Sequence, residues 1–521
     1  MVQIAKEDVT QVAGAFGFTV PEAEIDDYRA LLEKTKATLE AVINSEDYQP
    51  RPDIEATPRT EVHFPERDDN PLGAWAWRCR CTHKNPSSDL LKGKTLCLKD
   101  NIAMSQVPCL LGTSSFTGWT PDTDATVATR ILQNGGIITG KAVCENLSRG
   151  AVSCTAATGP VDNPYAKGYS AGGSSSGTAA LVGSGAVNMG IGCDQGGSIR
   201  IPASLCGLYG FKATVGLVPY TGIASNDASM DYVGPITTTC IDCATLLEAI
   251  AGVDGLDDRQ IAGVPFPGDV PRYKDLLLKT EQQGVKGMKI GILKEGIESH
   301  ITDPGVEKKF RTAVAGFEKL GASIVEVSVP LHSLGRPIST VMSKMGNHMG
   351  MLGKATGRRQ VMLTDLFEKK GIPYTQDALD KMNTVSKEGL ISGEYAWAHY
   401  SLAYPKAINL TRKLKDEYDA VLESVDLLVM PTTITPSSPL PKADATPLEH
   451  IDASIGKLEN TSVFNGTGHP ALAMPIGFVP AKEDANIMLP ASMQIVGKFW
   501  DEAKILQAAY AWEKEYDWKK F

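Results

Sequence analysis

The sequence has no run of 18 apolar residues. Its longest weakly polar stretch, 178–192, is broken by Ser184 and Asn188, so no transmembrane span is expected. The opening Met1-Val-Gln-Ile-Ala-Lys-Glu-Asp lacks the basic and apolar regions of a secretory signal, which points to a cytoplasmic protein. Positive charge is not in surplus. Lys and Arg number 51 against 61 Asp and Glu, a net charge of −10, which excludes a basic footprint for nucleic acid. Cysteine is sparse for 521 residues, with ten in all, every one between Cys79 and Cys243. That density rules out a disulfide scaffold. Cys79-x-Cys81 with Cys240-x-x-Cys243 makes a poor zinc site, because the first spacing is tight and 240–251 reads as a helix. Reduced, packed thiols and no metal or other cofactor are expected. Nucleotide-binding glycine patterns are missing as well. No Gly-x-Gly-x-x-Gly follows a strand, and there is no Gly-Lys-Ser/Thr phosphate loop.

What is present is a local excess of glycine. Fourteen of the 50 glycines fall between Gly159 and Gly216. Glycine serves where backbone turns sharply or must be approached closely. Around this segment the chain alternates between strand and helix. Residues 95–99, 137–140, 288–293, 323–329, 425–431, 471–475 and 493–497 read as strands. Residues 125–134, 304–320 and 501–514 read as helices, and 288–329 forms a βαβ unit. The fold class is α/β, with a parallel or mixed sheet. Residues 1–75 form an N-terminal helical unit. Within it, 5–45 is helical, and 46–70, punctuated by Pro58 and Pro65, is a linker. Residues 76–335 are the first part of the core and 413–521 the second. Between them 336–412 is a helical small domain rich in methionine (Met342, Met345, Met349, Met351, Met362, Met382), as core filler or as the lining of a substrate channel.

Two serine arrangements compete for the chemistry. Gly168-Tyr-Ser170-Ala-Gly172 matches the nucleophile elbow, which must follow a strand and open a helix. Residues 162–167 before it read as a loop, and no histidine has a suitable context. The second arrangement is fuller. Ser174 and Ser198 lie 24 residues apart, each close behind a glycine pair, and Lys99 ends an apolar strand beside Asp100. Asp122-x-Asp124-Ala-Thr, Gly140-Lys-Ala-x-x-Glu145, Gly159-Pro-Val-Asp-Asn-Pro164, Gly207-Leu-Tyr-Gly-Phe-Lys212 and Leu489-Pro-Ala-Ser-Met-Gln-Ile-Val-Gly497 accompany it.

This set resembles the amidase signature family, serine hydrolases with a Ser–Ser–Lys triad, over roughly residues 70–500. The resemblance implies a mixed central sheet flanked by helices. It makes Ser198 the nucleophile, Ser174 the bridging serine after a cis peptide bond, and Lys99 the base. The backbone N–H groups of Gln195, Gly196, Gly197 and Ser198 become the oxyanion hole. A serine hydroxyl needs a neighbour to take its proton. A lysine does so only as the neutral amine, which an apolar surrounding favours. Gln195, Gly196, Gly197 and Ser175 are the expected substrate-binding residues, with Ser175 a hydrogen-bonding neighbour of the triad. Asp194 and Arg200 are expected to pair and brace the loop. Ser176 departs from the glycine common in the family.

The implied activity is hydrolysis of small aliphatic or aromatic amides, and of carbamates, through an acyl-enzyme. The alternatives are a glutamine-dependent amidotransferase subunit that works on a tRNA-bound substrate, or a fatty acid amide hydrolase. The N-terminal helical unit and the run Gly216-Leu-Val-Pro-Tyr-Thr-Gly222 favour a free-standing amidase. Its partners would be a small-molecule amide and a second copy of the chain, a homodimer through the N-terminal unit, with no nucleic acid and no membrane. The loop 450–468, with Ile455 and Asn465, is expected to border the acyl pocket.

Overall fold

A computed structural model describes residues 4–116, 118–354 and 356–521. The chain divides into two compact units, Met1–Pro50 and Arg51–Phe521. Among the described residues the first holds two α-helices, Lys6–Gly14 and Ile25–Ile43. The longer helix has no buried residue, and Leu31, Leu39 and Val42 stand 54%, 58% and 70% exposed.

The second unit begins sooner than the proline punctuation suggests. β1 (Arg59–His63) is an edge strand, antiparallel to β2 (Trp75–Cys81). Pro58 and Pro65 flank β1 without interrupting it, so the missing N–H groups cost no ladder bond. There follow β3 (Thr95–Lys99), β4 (Ile137–Ala142), the short hairpin of β5 (Asp162–Asn163) and β6 (Ala166–Ser170), β7 (Met189–Asp194), β8 (Tyr209–Lys212) and β9 (Tyr232–Thr237). The C-terminal part adds β10 (Lys289–Leu293), β11 (Ser323–Val327), β12 (Leu427–Pro431), β13 (Ala471–Pro480) and β14 (Met488–Val496). Among the described residues twelve strands make one mixed sheet in the order β1-β2-β4-β3-β7-β9-β8-β13-β14-β12-β10-β11. β3 runs parallel to both β4 and β7, and β10 is parallel to β11 and β12.

The expected βαβ unit is present. Its helix, Pro304–Lys319, is capped by Asp303, whose carboxylate accepts from the N–H groups of Gly305 and Val306, with Pro304 in the first turn. Its apolar stripe, Val306, Phe310, Ala313 and Phe317, is buried in the main core. Helices at Gly335–Met351, Thr364–Lys370, Gln376–Lys381, Thr384–His399 and Ala403–Leu422 follow, and among the described residues 336–412 contain no strand. Met342, Met345, Met351 and Met382 are buried there. Met349 and Met362 instead line a cleft of about 420 Å³, together with Tyr220, Asp227, Trp397 and Tyr404.

The elbow candidate fails on geometry. A strand, β6, does precede Ser170 where the sequence reads as a loop, because Asp162–Asn163 and Ala166–Ser170 pair across a tight turn. The Ser170 hydroxyl is buried and accepts from the Gly172 N–H at 2.9 Å, and the next helix starts only at Ser176. Among the described residues no helix is long and apolar enough to cross a membrane, and no cluster of His, Cys, Asp or Glu could hold a metal. All ten cysteines are free.

Candidate active site

The site gathers at the C-terminal ends of the parallel strands β4, β3 and β7. Leu96, Cys97 and Leu98 are fully buried between the two neighbouring strands, and Lys99 at the end of β3 is buried with them. Its Nζ donates to Ser174 Oγ at 2.8 Å and to the Cys193 carbonyl at 3.4 Å. The Gly173–Ser174 peptide is cis. The Ser175 hydroxyl donates to the Cys193 carbonyl at 3.1 Å and accepts from the Cys193 N–H at 3.2 Å. Both of its bonds go to β7 backbone, so Ser175 sits behind the site as a brace. Its own N–H donates to the Ser198 carbonyl at 3.3 Å, which ties the two serine segments together.

β7 ends at Asp194, and the loop Gln195-Gly-Gly-Ser198 leads into the helix Arg200–Leu205. Ser198 is half-buried, and its hydroxyl has no hydrogen-bond partner among the described residues. Asp194 and Arg200 form a fully buried ion pair, with Arg200 Nε 3.0 Å and Nη2 3.1 Å from the carboxylate. The same carboxylate accepts from the Gly197 N–H at 2.6 Å and the Ile199 N–H at 3.1 Å. Burial alone would raise the Asp194 pKa. The Arg200 guanidinium, then Asn465 and the Ile199 N–H, outweigh it and hold the carboxyl at about 2. Gly197 has φ +129, and a Cβ there would lie 2.3 Å from Thr461 Oγ1. That hydroxyl donates to the Gly196 carbonyl at 2.7 Å. The Gly197 N–H thus points at Asp194, and the N–H groups of Gln195, Gly196 and Ser198 have no acceptor among the described residues. The Gln195 side chain turns away, its Nε2 donating to the Tyr220 hydroxyl at 3.0 Å.

Two buried carboxyls flank the lysine. Glu145 is fully buried. Its N–H donates to the Ser174 carbonyl at 3.1 Å, and its carboxyl accepts from the N–H groups of Cys154 and Thr155 at 3.3 Å each. Burial outweighs those bonds and the positive charge of Lys99, and pushes its pKa up to about 7. Asp100 accepts from the Leu110 and Leu111 N–H groups at 2.8 Å. Burial raises it to about 6 against the pull of Lys141, 3.8 Å away.

The site thus joins a buried lysine on Ser174, a second serine behind a loop of unshielded amides, and an ion pair bracing that loop. The amidase family model matches residues 74–506. The chain belongs to the amidase signature family. It is a hydrolase acting on amide C–N bonds. Among curated relatives it is 33% identical to an enantioselective amidase of Rhodococcus rhodochrous over 505 residues, 95% of this chain and 92% of that one. It is 31% identical to a glutamyl-tRNA(Gln) amidotransferase subunit of Caldanaerobacter subterraneus, over 83% of this chain and 85% of that one. Among solved structures, the peptide amidase of Stenotrophomonas maltophilia superposes with a TM-score of 0.65 at 28% identity, covering 82% of this chain and 83% of that one.

Within this amidase, sequence reasoning brought Lys99, Ser174, Ser198 and the glycine loop to one place. It missed the back of the site. Asn465, expected on the acyl pocket wall, is fully buried, and its Nδ2 donates to Asp194 Oδ1 at 2.8 Å. Ile455 of the same loop is 54% exposed. Gln494 and Thr461 also reach the loop before Ser198, through Arg200 and Gly196. Gln494 lies inside the Leu489–Gly497 motif, where nothing local gives it a role; Thr461 and Asn465 stand 265 and 271 residues from their partners, and no local pattern marks them.

Proposed function

We propose that this amidase hydrolyses small aliphatic or aromatic amides, and carbamates of similar size, through an acyl-enzyme on Ser198. The observation that carries the reading is the 2.8 Å bond from Lys99 Nζ to Ser174 Oγ, beside a half-buried Ser198 with a free hydroxyl. In its neutral form Lys99 takes a proton from Ser174 as Ser174 takes one from Ser198, whose free hydroxyl has to close on Ser174 Oγ once substrate is bound. Ser198 Oγ bonds to the carbonyl carbon, and the oxyanion forms against the N–H groups of Gln195, Gly196 and Ser198. The proton returns through Ser174 to the leaving nitrogen, and ammonia or an amine departs as the C–N bond breaks. Water then adds to the acyl-enzyme by the same relay and frees the acid. Leu458, 3.3 Å from where a Gly196 Cβ would stand, gives the loop an apolar neighbour suited to an uncharged acyl group.

The match to the enantioselective amidase extends over 95% of this chain, whereas those to the amidotransferase subunits stop at 81–84%. That difference supports a free-standing enzyme over the amidotransferase reading. The exposed Leu31, Leu39 and Val42 support a homodimer through the N-terminal helices. Ten free cysteines fit a cytoplasmic setting. The test is ammonia release from a panel of short aliphatic amides, benzamide, glutamine, a long-chain amide and ethyl carbamate. Small amides are expected to turn over without any partner, and Ser198→Ala is expected to lose activity by at least about a thousandfold. Full turnover by Ser198→Ala overturns the reading. Glutaminase activity that needs a second protein and tRNA replaces it with the amidotransferase.

A further inference from the structure

The loop that would receive the oxyanion is held from behind by residues far away in the chain. Asn465, in the short helix Val463–Thr467, has every polar atom of its side chain engaged. Its Nδ2 donates to the Asp194 carboxylate at 2.8 Å, to the Asp194 carbonyl at 2.9 Å and to the Met230 carbonyl at 3.1 Å. Its Oδ1 accepts from Arg200 Nη2 at 2.7 Å. The backbone carbonyl of Asn465 accepts from the Tyr232 hydroxyl at 2.7 Å, which fixes the helix itself. From the other side Gln494, on β14, accepts from Arg200 Nη1 at 2.7 Å and donates to the Asn460 carbonyl at 2.8 Å. Asp194, Arg200, Asn465 and Gln494 are all fully buried.

Asn465 therefore touches both ends of the loop through one amide. It holds the carbonyl where β7 stops, and it holds the carboxylate that captures the Gly197 N–H. It also orients the guanidinium that neutralises that carboxylate. Without its Nδ2, Asp194 keeps its charge partner and loses its direction, and the Gly197 N–H follows the carboxylate. The neighbouring amides of Gly196 and Ser198 turn with that peptide, away from where charge develops in the transition state.

We propose that Asn465 is a positioning residue for the reaction, supported by Gln494. It aims the nucleophile-loop amides by clamping Asp194 and Arg200, and its contribution is made in the transition state more than in substrate binding. The proposal rests on the hydrolytic reading above.

The experiment compares Asn465→Ala, Asn465→Ser and Gln494→Met with wild type on the best amide of the panel. Competent sites are counted by fluorophosphonate labelling of Ser198, so that misfolded protein does not enter kcat. For both Asn465 variants kcat per labelled site is expected to fall about a hundredfold, the order seen when one oxyanion donor is lost, with KM within about threefold. Gln494→Met, which leaves Asn465 in place, is expected to fall by about tenfold or less. Binding of an alkyl trifluoromethyl ketone, whose adduct carries the oxyanion, is expected to weaken by the same factor as kcat. The inference is overturned if kcat per labelled site stays within about threefold of wild type in both Asn465 variants, whatever their melting temperatures. It is equally overturned if the loss appears in KM while ketone binding holds. Ser198→Ala separates the two levels. If that variant is inactive and the Asn465 variants are not, hydrolysis at Ser198 stands and the positioning role falls.

Discussion

The two glycines before Ser198 look interchangeable in sequence, and the structure makes opposite demands of them. At Gly197, φ of +129 lies in a region that costs a side-chain-bearing residue about 1–3 kcal/mol. A Cβ would also stand 2.3 Å from Thr461 Oγ1 and 2.7 Å from both Thr461 Cβ and Ile201 Cδ1. Thr461 has to swing away, giving up its bond to the Gly196 carbonyl, a further loss of about 0.5–1.5 kcal/mol. Gly197→Ala is therefore expected to destabilise by about 1.5–4.5 kcal/mol. Unfolding entropy across residues 51–521 amounts to about 1 kcal/mol/K, so the melting temperature falls by about 1.5–4.5 °C. Turnover is expected to fall further, by about a hundredfold or more, because the displaced peptide lies between the amides proposed to receive the oxyanion. Gly196 has no positive φ, and its Cβ would meet only Leu458 Cδ2 at 3.3 Å and Ser462 Cβ at 3.8 Å. Leu458 can shift by a few tenths of an ångström. Gly196→Ala is expected to cost under about 1 kcal/mol and to keep kcat within about tenfold, with any change in preference confined to acyl size. Scanning calorimetry and steady-state kinetics on the two variants decide the matter. Equal damage from both, or a Gly197→Ala enzyme with wild-type kcat/KM, refutes the reasoning.

Three other expectations concern the buried charges and thiols. Arg200→Met leaves Asp194 buried without its cation and is expected to cost about 3–5 kcal/mol at pH 7, read as a lower melting temperature. Because Asp194 is held at about 2 against an ordinary 3.8, this stabilisation is present above about pH 4 and fades as pH falls toward 2, so the gap between variant and wild type should narrow in acid; a constant gap counts against the pair. Glu145 keeps its proton up to about pH 7 when folded and only to 4.5 when unfolded, so folding loses up to about 3 kcal/mol as pH rises across that window. Glu145→Gln should flatten the decline, gaining on wild type at pH 8 relative to pH 5, and parallel pH–melting curves would rule this out. Thiol titration with a disulfide reagent should find at most one reactive cysteine, the half-buried Cys154, in the native protein and ten after denaturation; burial pushes up Cys154 as well as Cys81, Cys109 and Cys193, so its access to solvent alone sets it apart.

The sequence was most legible where periodicity and punctuation agree. β3 and the β10–helix–β11 unit lie within a residue or two of where apolar runs and the Pro304 and Gly321 boundaries place them. β7 and β9 escaped because glycine and proline interrupt them, in Met189-Gly-Ile-Gly-Cys-Asp194 and Tyr232-Val-Gly-Pro-Ile-Thr237. Burial on both faces removes the alternation that marks a half-exposed strand. At the site, chemistry-bearing residues clustered in motifs were readable, and those acting through packing were not. Ser175 looked like a substrate contact because it adjoins Ser174, yet at the start of the helix Ser176–Gly183 its hydroxyl turns onto Cys193. Strand order decides such facings, and no local window contains it.

The brace on Arg200 has a consequence for how the enzyme comes into being. Lys99, Ser174 and Ser198 are made early, but the side chains that clamp Arg200 come 265 and 294 residues later. A chain still emerging, or one released before Gln494, carries a nucleophile without a finished cradle. If the positioning role holds, hydrolytic competence waits until Asn465 and Gln494 have been made, and a fragment that stops short of them is a poor hydrolase.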